Sequence, residues 1–363
     1  MPSAQFYGLS LMGLYAVVIL EVFLLGRWKG QPMRWREVAV NMNSGQAVLW
    51  LLHGARILIY AWVYSHASLG LLAELPMVVV LPIGFLLWDF AFYASHRAHH
   101  HFPLLWEVHA VHHQGEAFNV SLAVRNAWLQ VLTPTPFFLA LALIGVPVEV
   151  YLTVGALHYT IQLYNHNGLF IEPSPLDALI VTPRHHRLHH AKHPAYRDRN
   201  FGSSLVIWDR LLGTFAAERP SLPVDIGLDT PPRTENPLWL NLAPLTDRLG
   251  WAPRAPAQPA QTGEGWLMAG SVLHFILLCQ VIMLPAGLAW PRAALMAFII
   301  VGTLLLGGAA DGQRGAIWGW AILAAAGFVA SLSALSLVGA ASALLLGLAL
   351  LHGLYGLRAL QAA

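Results

Sequence analysis

Apolar residues in this chain gather into long runs, several of which reach the ~20 positions a helix needs to cross a bilayer. The runs predict spans at about 6–26, 44–65, 71–94, 128–145, 147–165, 266–290, 293–310, 315–332 and 334–356. The fold expected from them is an all-α integral membrane protein, a multi-span, multi-pass helical bundle. Pro134, Pro136 and Pro147 interrupt the 128–165 pair, which reads either as two crossings or as a short hairpin that turns back. In both cases the chain returns to the side it left. The Phe6–Gly26 run has no basic leader and no small-residue cleavage site, so it reads as a retained span and not as a signal peptide.

The polar positions between the runs set a direction. Arg27, Lys29, Arg34 and Arg36 follow the first run, and positively charged loops stay in the cytoplasm. Threading from there puts 95–127 and 166–265 on the cytoplasmic side, together with eighteen of the twenty Lys and Arg residues. Composition agrees with a membrane protein: 57% of residues are hydrophobic and 10% charged, against roughly 25% charged in soluble domains. The expected location is a bacterial inner membrane with the active site facing the cytoplasm. A net charge of +2 gives no reason to expect nucleic acid as a partner, and the single cysteine, Cys279, excludes a disulfide framework or a thiolate metal site. Two parts are expected. Residues 1–263 hold the histidine-rich core and a polar, Pro-rich tract, Pro220 to Pro259, lying across the membrane surface; residues 264–363 are further membrane helices with only five charged side chains.

Fourteen of eighteen histidines lie between positions 96 and 193, and most repeat at helical spacing. His96 and His100 are four apart. His109, His112 and His113 form H-x-x-H-H, and His186, His189 and His190 form it again, with His185 and His189 a second i,i+4 pair. Residues at i, i+3 and i+4 share a helix face, so each group can aim two or three imidazoles at one point. One tetrahedral zinc takes about four ligands, whereas these groups offer eight nitrogens before any lone histidine is added. The count points to a dimetal site in a cytoplasmic histidine-rich cap. His166, at the end of an apolar run, stands where it could complete the site. Asp89, two helical turns before His96, is placed to accept the second ring N–H of a ligating histidine, and Glu116 to bridge or to hydrogen-bond. His53, His66, His274 and His352 read as packed or interfacial residues.

The runs Asp89–Tyr93, His96–His100, Leu105-Trp106, His109–His113 and Glu116 resemble the core of the fatty acid hydroxylase/sterol desaturase superfamily. Thr182–His190 resembles its last histidine box, and the likeness continues through Tyr196, Asp198, Asn200, Phe201-Gly202 and Trp208–Arg210 to Gly213–Phe215. Gly227-Leu228 and the added C-terminal helices look more like its alkylglycerol monooxygenase branch. Gln114-Gly115, where the family usually has a small hydroxyl pair, departs from the pattern. The resemblance implies two iron ions held by histidines, with His96, His100, His109, His112, His113, His166, His185, His186, His189 and His190 as ligand candidates. It implies Asp89, Glu116 and Asn200 as further catalytic-site candidates. It also implies O2-dependent hydroxylation or desaturation of a C–H bond in a lipid such as a fatty acyl chain, a sterol or an ether lipid, with electrons from an external donor, a redox protein or a pterin. Two other readings stay open: a metal transporter or storage protein, which would carry its histidines along the middle of spans, and a non-catalytic lipid-binding relative.

Overall fold

The computed structural model describes residues 4–230, 232, 234–247, 249–250, 263–285 and 287–362. Part of the Pro220–Pro259 tract therefore lies outside the described residues. Within them the chain forms helices and two isolated β-bridges, and no strand. In order the helices are α1 (Ala4–Lys29), α2 (Trp35–Met42), α3 (Gln46–Ala67), α4 (Met77–His101), α5 (Pro103–His113), α6 (Val120–Ala123), α7 (Thr135–Ile144) and α8 (Val148–Asn165). There follow α9 (Pro183–His189), α10 (Ile207–Leu211), α11 (Pro237–Asp247), α12 (Glu264–Met283), α13 (Ala289–Ala310), α14 (Arg314–Ser333) and α15 (Leu335–Ala362).

Among the described residues, seven stretches are long and apolar enough to cross a membrane: Gly8–Lys29, Trp35–Ala67, Met77–His101, Glu264–Met283, Ala289–Ala310, Arg314–Ser333 and Leu335–Gln361. The expected crossings at 128–145 and 147–165 are not among them. Prolines confine α7 to ten residues, about 15 Å against a hydrocarbon core of about 30 Å. Gly145, at φ 110, turns the chain toward α8. A Cβ at Gly145 would stand 3.2 Å from the backbone of Gly70 and Leu71, so both the conformation and the space require glycine.

Packing divides the chain into two compact units, Met1–Val48 with Pro232–Ala363, and Leu49–Pro231. This differs from the division at 263/264 drawn from composition, because α1 and α2 pack against α12. In the first unit Tyr15 donates to Ser271 Oγ at 2.8 Å, and Leu277, Leu278, Ile299, Leu306, Ile317 and Trp320 form the centre of an apolar core.

The second unit is organised around α4, which packs against α5, α7 and α8. Gly84 lets α8 approach closely: a Cβ there would meet Val150 Cγ1 at 2.6 Å. Trp88 stacks on His158 with ring centroids 4.3 Å apart, and Tyr60 on Tyr151 at 3.9 Å. At the end of α4, Phe102 is extended and Pro103 occupies the first turn of α5. Proline lacks the N–H that would continue a helix but suits the start of one. The break brings the last turn of α4 against the last turn of α5, with the His100 and His113 rings 4.9 Å apart.

Candidate metal centre

The histidines gather into two buried groups. His96, His100, His109, His113 and His189 form one, and His112, His166, His186 and His190 the other; within each group one nitrogen per residue lies within 4.8 Å of all the rest. The helical boxes do not act as units. On α5, His109 and His113 face the first group and His112 the second. The last box does the reverse: His186 and His190 enter the second group, and His189 the first. Residues four apart stay on one side while the residue at i+3 turns to the other. The two groups are in contact, the His113 and His190 rings lying 4.3 Å apart.

The far nitrogen of most rings is tied down. Nδ1 of His96 lies 3.0 Å from the Phe201 carbonyl, of His112 3.0 Å from that of Arg125, of His166 2.7 Å from that of Gln162, and of His189 2.8 Å from that of Arg199. A carbonyl only accepts, so each Nδ1 carries the hydrogen and each Nε2 presents a lone pair. His100 Nδ1 is 3.0 Å from Asp198 Oδ1. At His109 the Gln130 amide places Nε2 3.0 Å from Nδ1 and leaves its own oxygen unpartnered; the reversed amide accepts from a His109 Nδ1–H.

These ties decide what the Nε2 atoms can do. His112 and His166 both have Nδ1 bound to a carbonyl, yet their Nε2 atoms stand 3.2 Å apart. Two lone pairs cannot make that contact favourable; a cation between them can. The other Nε2 separations are 3.0 Å for His96–His109, 3.0 Å for His186–His166, 3.2 Å for His190–His186 and 3.3 Å for His113–His109. Two nitrogens bonded at right angles to one ion at about 2.1 Å would stand about 3.0 Å apart. His100 and His189 Nε2 are buried without a hydrogen-bond partner. The donor set therefore fits two imidazole-bound metal ions.

Burial, with neighbouring imidazoles adding to it, holds His109, His113, His186, His189 and His190 well below the ordinary histidine value of 6.5, which keeps them neutral and able to ligate. In metal-stripped protein the unfolded chain takes up protons below about 6.5 that the folded groups refuse. Stability is thus expected to be full above that value and to fall as pH drops below it. Thermal unfolding of chelator-treated protein across that range checks this, and a flat profile would contradict it.

Four expected site residues lie outside both groups. His185 is one position out of phase with His186 and His189; its ring turns toward Phe215, 5.5 Å away, and toward Thr182. Asp89 is fully buried, but it accepts from the N–H groups of Ser204 (2.9 Å) and Leu205 (3.2 Å) and from the Trp208 indole (2.8 Å). The histidine beside it is His158, at 3.4 Å, which belongs to neither group. Glu116 is exposed. Asn200 holds a loop: its amide donates to the carbonyls of His185 and Ala216 and accepts from Ala216 N–H.

That loop carries what sequence reasoning missed. Asp198 and Asn200 both have positive φ, 56 and 57. The turn they make presents the Asp198 carboxylate to His100, the Arg199 carbonyl to His189 and the Phe201 carbonyl to His96. Three of the five rings in the first group are oriented by four consecutive residues, and none in the second. Carbonyl ties leave no mark in a sequence.

Comparison with known proteins agrees with this geometry. Residues 81–214 match the fatty acid hydroxylase family, and all nine grouped histidines fall inside them. The chain is 28% identical to an alkylglycerol monooxygenase of Xenopus tropicalis over 307 residues, covering 74% of this chain and 68% of that protein. It is 36% identical to the human alkylglycerol monooxygenase over 155 residues, but spans only 34% of that protein's length. With an ornithine lipid hydroxylase of Rhizobium tropici it shares 37% identity over 155 residues, 42% of this chain and 46% of the other. No solved structure matches the chain. The part of the chain around its nine grouped histidines is thus the part that is similar to the fatty acid hydroxylase family.

Proposed function

We propose that the protein is a membrane-bound non-haem di-iron oxidoreductase that uses O2 to hydroxylate a C–H bond of a lipid. The observation that carries the proposal is the His112–His166 contact, in which both rings are committed by carbonyl ties to presenting lone pairs to each other at 3.2 Å. One iron would be held by His96, His100, His109, His113 and His189, and the other by His112, His166, His186 and His190. Bound iron supplies an oxidant for an unactivated C–H bond, which no side chain can provide.

The remaining work is done by the chain. The carbonyls of Phe201, Arg125, Gln162 and Arg199 fix tautomer and ring orientation. Phe201, 5.1 Å from the His100 ring, and Phe118, 6.1 Å from the His166 ring, give the groups apolar neighbours that keep water out. Trp106 packs 5.0 Å from His100 and 5.4 Å from His113. Electrons come from an external donor, a redox protein or a pterin. The substrate class follows the relatives: alkylglycerol ethers and ornithine lipids are the first compounds to try. The active site faces the cytoplasm of a bacterial inner membrane, as the charged loops suggest.

Iron analysis of detergent-purified, anaerobically handled protein, beside a His112→Ala variant, tests the reading. Close to two irons per chain, with loss in the variant and O2-dependent lipid oxidation in the intact protein, is the expected result. A single zinc, or no bound metal, would overturn it.

A further inference from the structure

The outward face of α4 carries Val78, Leu86 and Phe90, spaced by multiples of four and all exposed. Seven residues past Phe90, about 10 Å along the axis, the exposed Arg97 follows. A guanidinium belongs at the headgroup level because hydrocarbon depth is costly for it. With α4 crossing the bilayer, Phe90 therefore lies among acyl chains.

A part of the cap, the short helix α10 and the irregular chain before it, is fixed at that same depth. The Trp208 ring packs 5.0 Å from Phe90, and its indole donates to Asp89. On the same helix, Ile207 and Leu211, four apart, turn outward, Leu211 being 68% exposed. The Ile180–Leu205 bridge and the Val206 N–H to Leu179 carbonyl bond lay a second strip alongside, from which Leu176 and Leu179 project, Leu179 being 70% exposed. Arg210 folds back over the Phe215 ring at 5.0 Å, the behaviour of a cation whose stem lies against apolar surface.

The backbone here is prepared for a medium without water. Irregular backbone at membrane depth is tolerated only where its polar groups are satisfied within the protein. Ser204 and Leu205 N–H bond to Asp89, and Phe201 and Gly202 N–H to Asp209. Val181 N–H bonds to the Ser204 carbonyl, and Leu179 and Ile180 N–H to that of Leu176. Two buried carboxylates and a set of local carbonyls thus meet donors that water would meet in an aqueous loop.

We propose that the face formed by Leu176, Leu179, Ile207 and Leu211 is sunk into the lipid leaflet beside α4 and contacts acyl chains. This part of the 166–265 segment, expected from charge to lie on the cytoplasmic side, dips into the bilayer from that side. The proposal rests on α4 as a span and is independent of the metal reading.

Site-directed spin labelling tests it. Cys279 is the only cysteine and is buried, so Cys279→Ser supplies the background for Leu179→Cys and Leu211→Cys. The full chain is reconstituted in phosphatidylcholine–phosphatidylglycerol vesicles, and nitroxide collision with O2, which partitions into lipid, is compared with collision with a water-soluble nickel chelate. Val78→Cys on α4 is the lipid reference and Asp229→Cys the aqueous one. Positions 179 and 211 are expected to match position 78, with an O2-to-nickel ratio several-fold above that at 229. A ratio like that at 229 would overturn the proposal. Low accessibility to both reagents, marking a protein interface, would overturn it as well. Leu176→Cys repeats the measurement if either variant fails to insert.

Discussion

If the protein holds the two irons proposed for it, Asn200→Ala is expected to make one of them labile while the other stays, and to cut lipid turnover to a few percent or less. Asn200 sits at φ 57 and clasps Ala216 and His185 through its amide. Alanine tolerates that conformation poorly and removes the clasp. The turn from Asp198 to Phe201 then loses its shape, and with it the ties to His96, His100 and His189. Losing such orienting partners typically weakens metal affinity by about 10–100-fold. The second group draws its ties from Arg125 and Gln162, which the turn does not touch. Timed chelator challenge with iron quantification would read this directly. The wild type should release its irons together and the variant in two phases. Equal release from both sites would show that the turn does not act on one group alone.

Asp89→Ala is expected to produce a chain that fails to hold its fold, with no lipid oxidation left to measure. The carboxylate accepts from three donors in a fully buried position. Leaving a buried donor unpaired costs about 1–3 kcal/mol, so the three together cost several, against a whole-protein stability of roughly 5–15 kcal/mol. Asp89→Asn keeps the shape and one acceptor oxygen, and should fall between alanine and wild type. Detergent thermal unfolding and size-exclusion profiles of the two variants check this order. A stable, monodisperse Asp89→Ala protein would mean that solvent or another group serves the 204–208 segment.

How much of this could be read beforehand depended on what kind of contact was involved. Helical spacing marked the histidine boxes because side-chain phase along a helix is local information. The sorting of His112 away from His109 and His113 was hidden, because it depends on what packs against each flank of α5. His185 satisfied the same spacing rule as His189 and still turned elsewhere, since phase on a seven-residue helix is set by its neighbours. His166 was placed correctly at the end of an apolar helix, yet its tie to the Gln162 carbonyl is a main-chain event. Apolar runs likewise foretold the seven stretches long and apolar enough to cross, but at 128–165 Pro134, Gly145 and Pro147 cut the run into pieces that pack against α4 and do not meet that measure. Asp89 carried a visible signal, a carboxylate in an apolar helix. Its use, holding a distant loop more than a hundred residues later, required the tertiary structure.

The ties on the histidines bear on how far such a sequence can drift. Four of them come from main-chain carbonyls, at Phe201, Arg125, Gln162 and Arg199. A carbonyl is supplied by every amino acid, so the side chains at these positions are free to change as far as the ties are concerned, provided the path of the backbone is kept. Asp198 and Gln130 are different, because there the tie is the side chain itself. Distant homologues can thus share the arrangement of both groups while sharing few of the residues that orient it, and an alignment would understate how much of the centre they have in common.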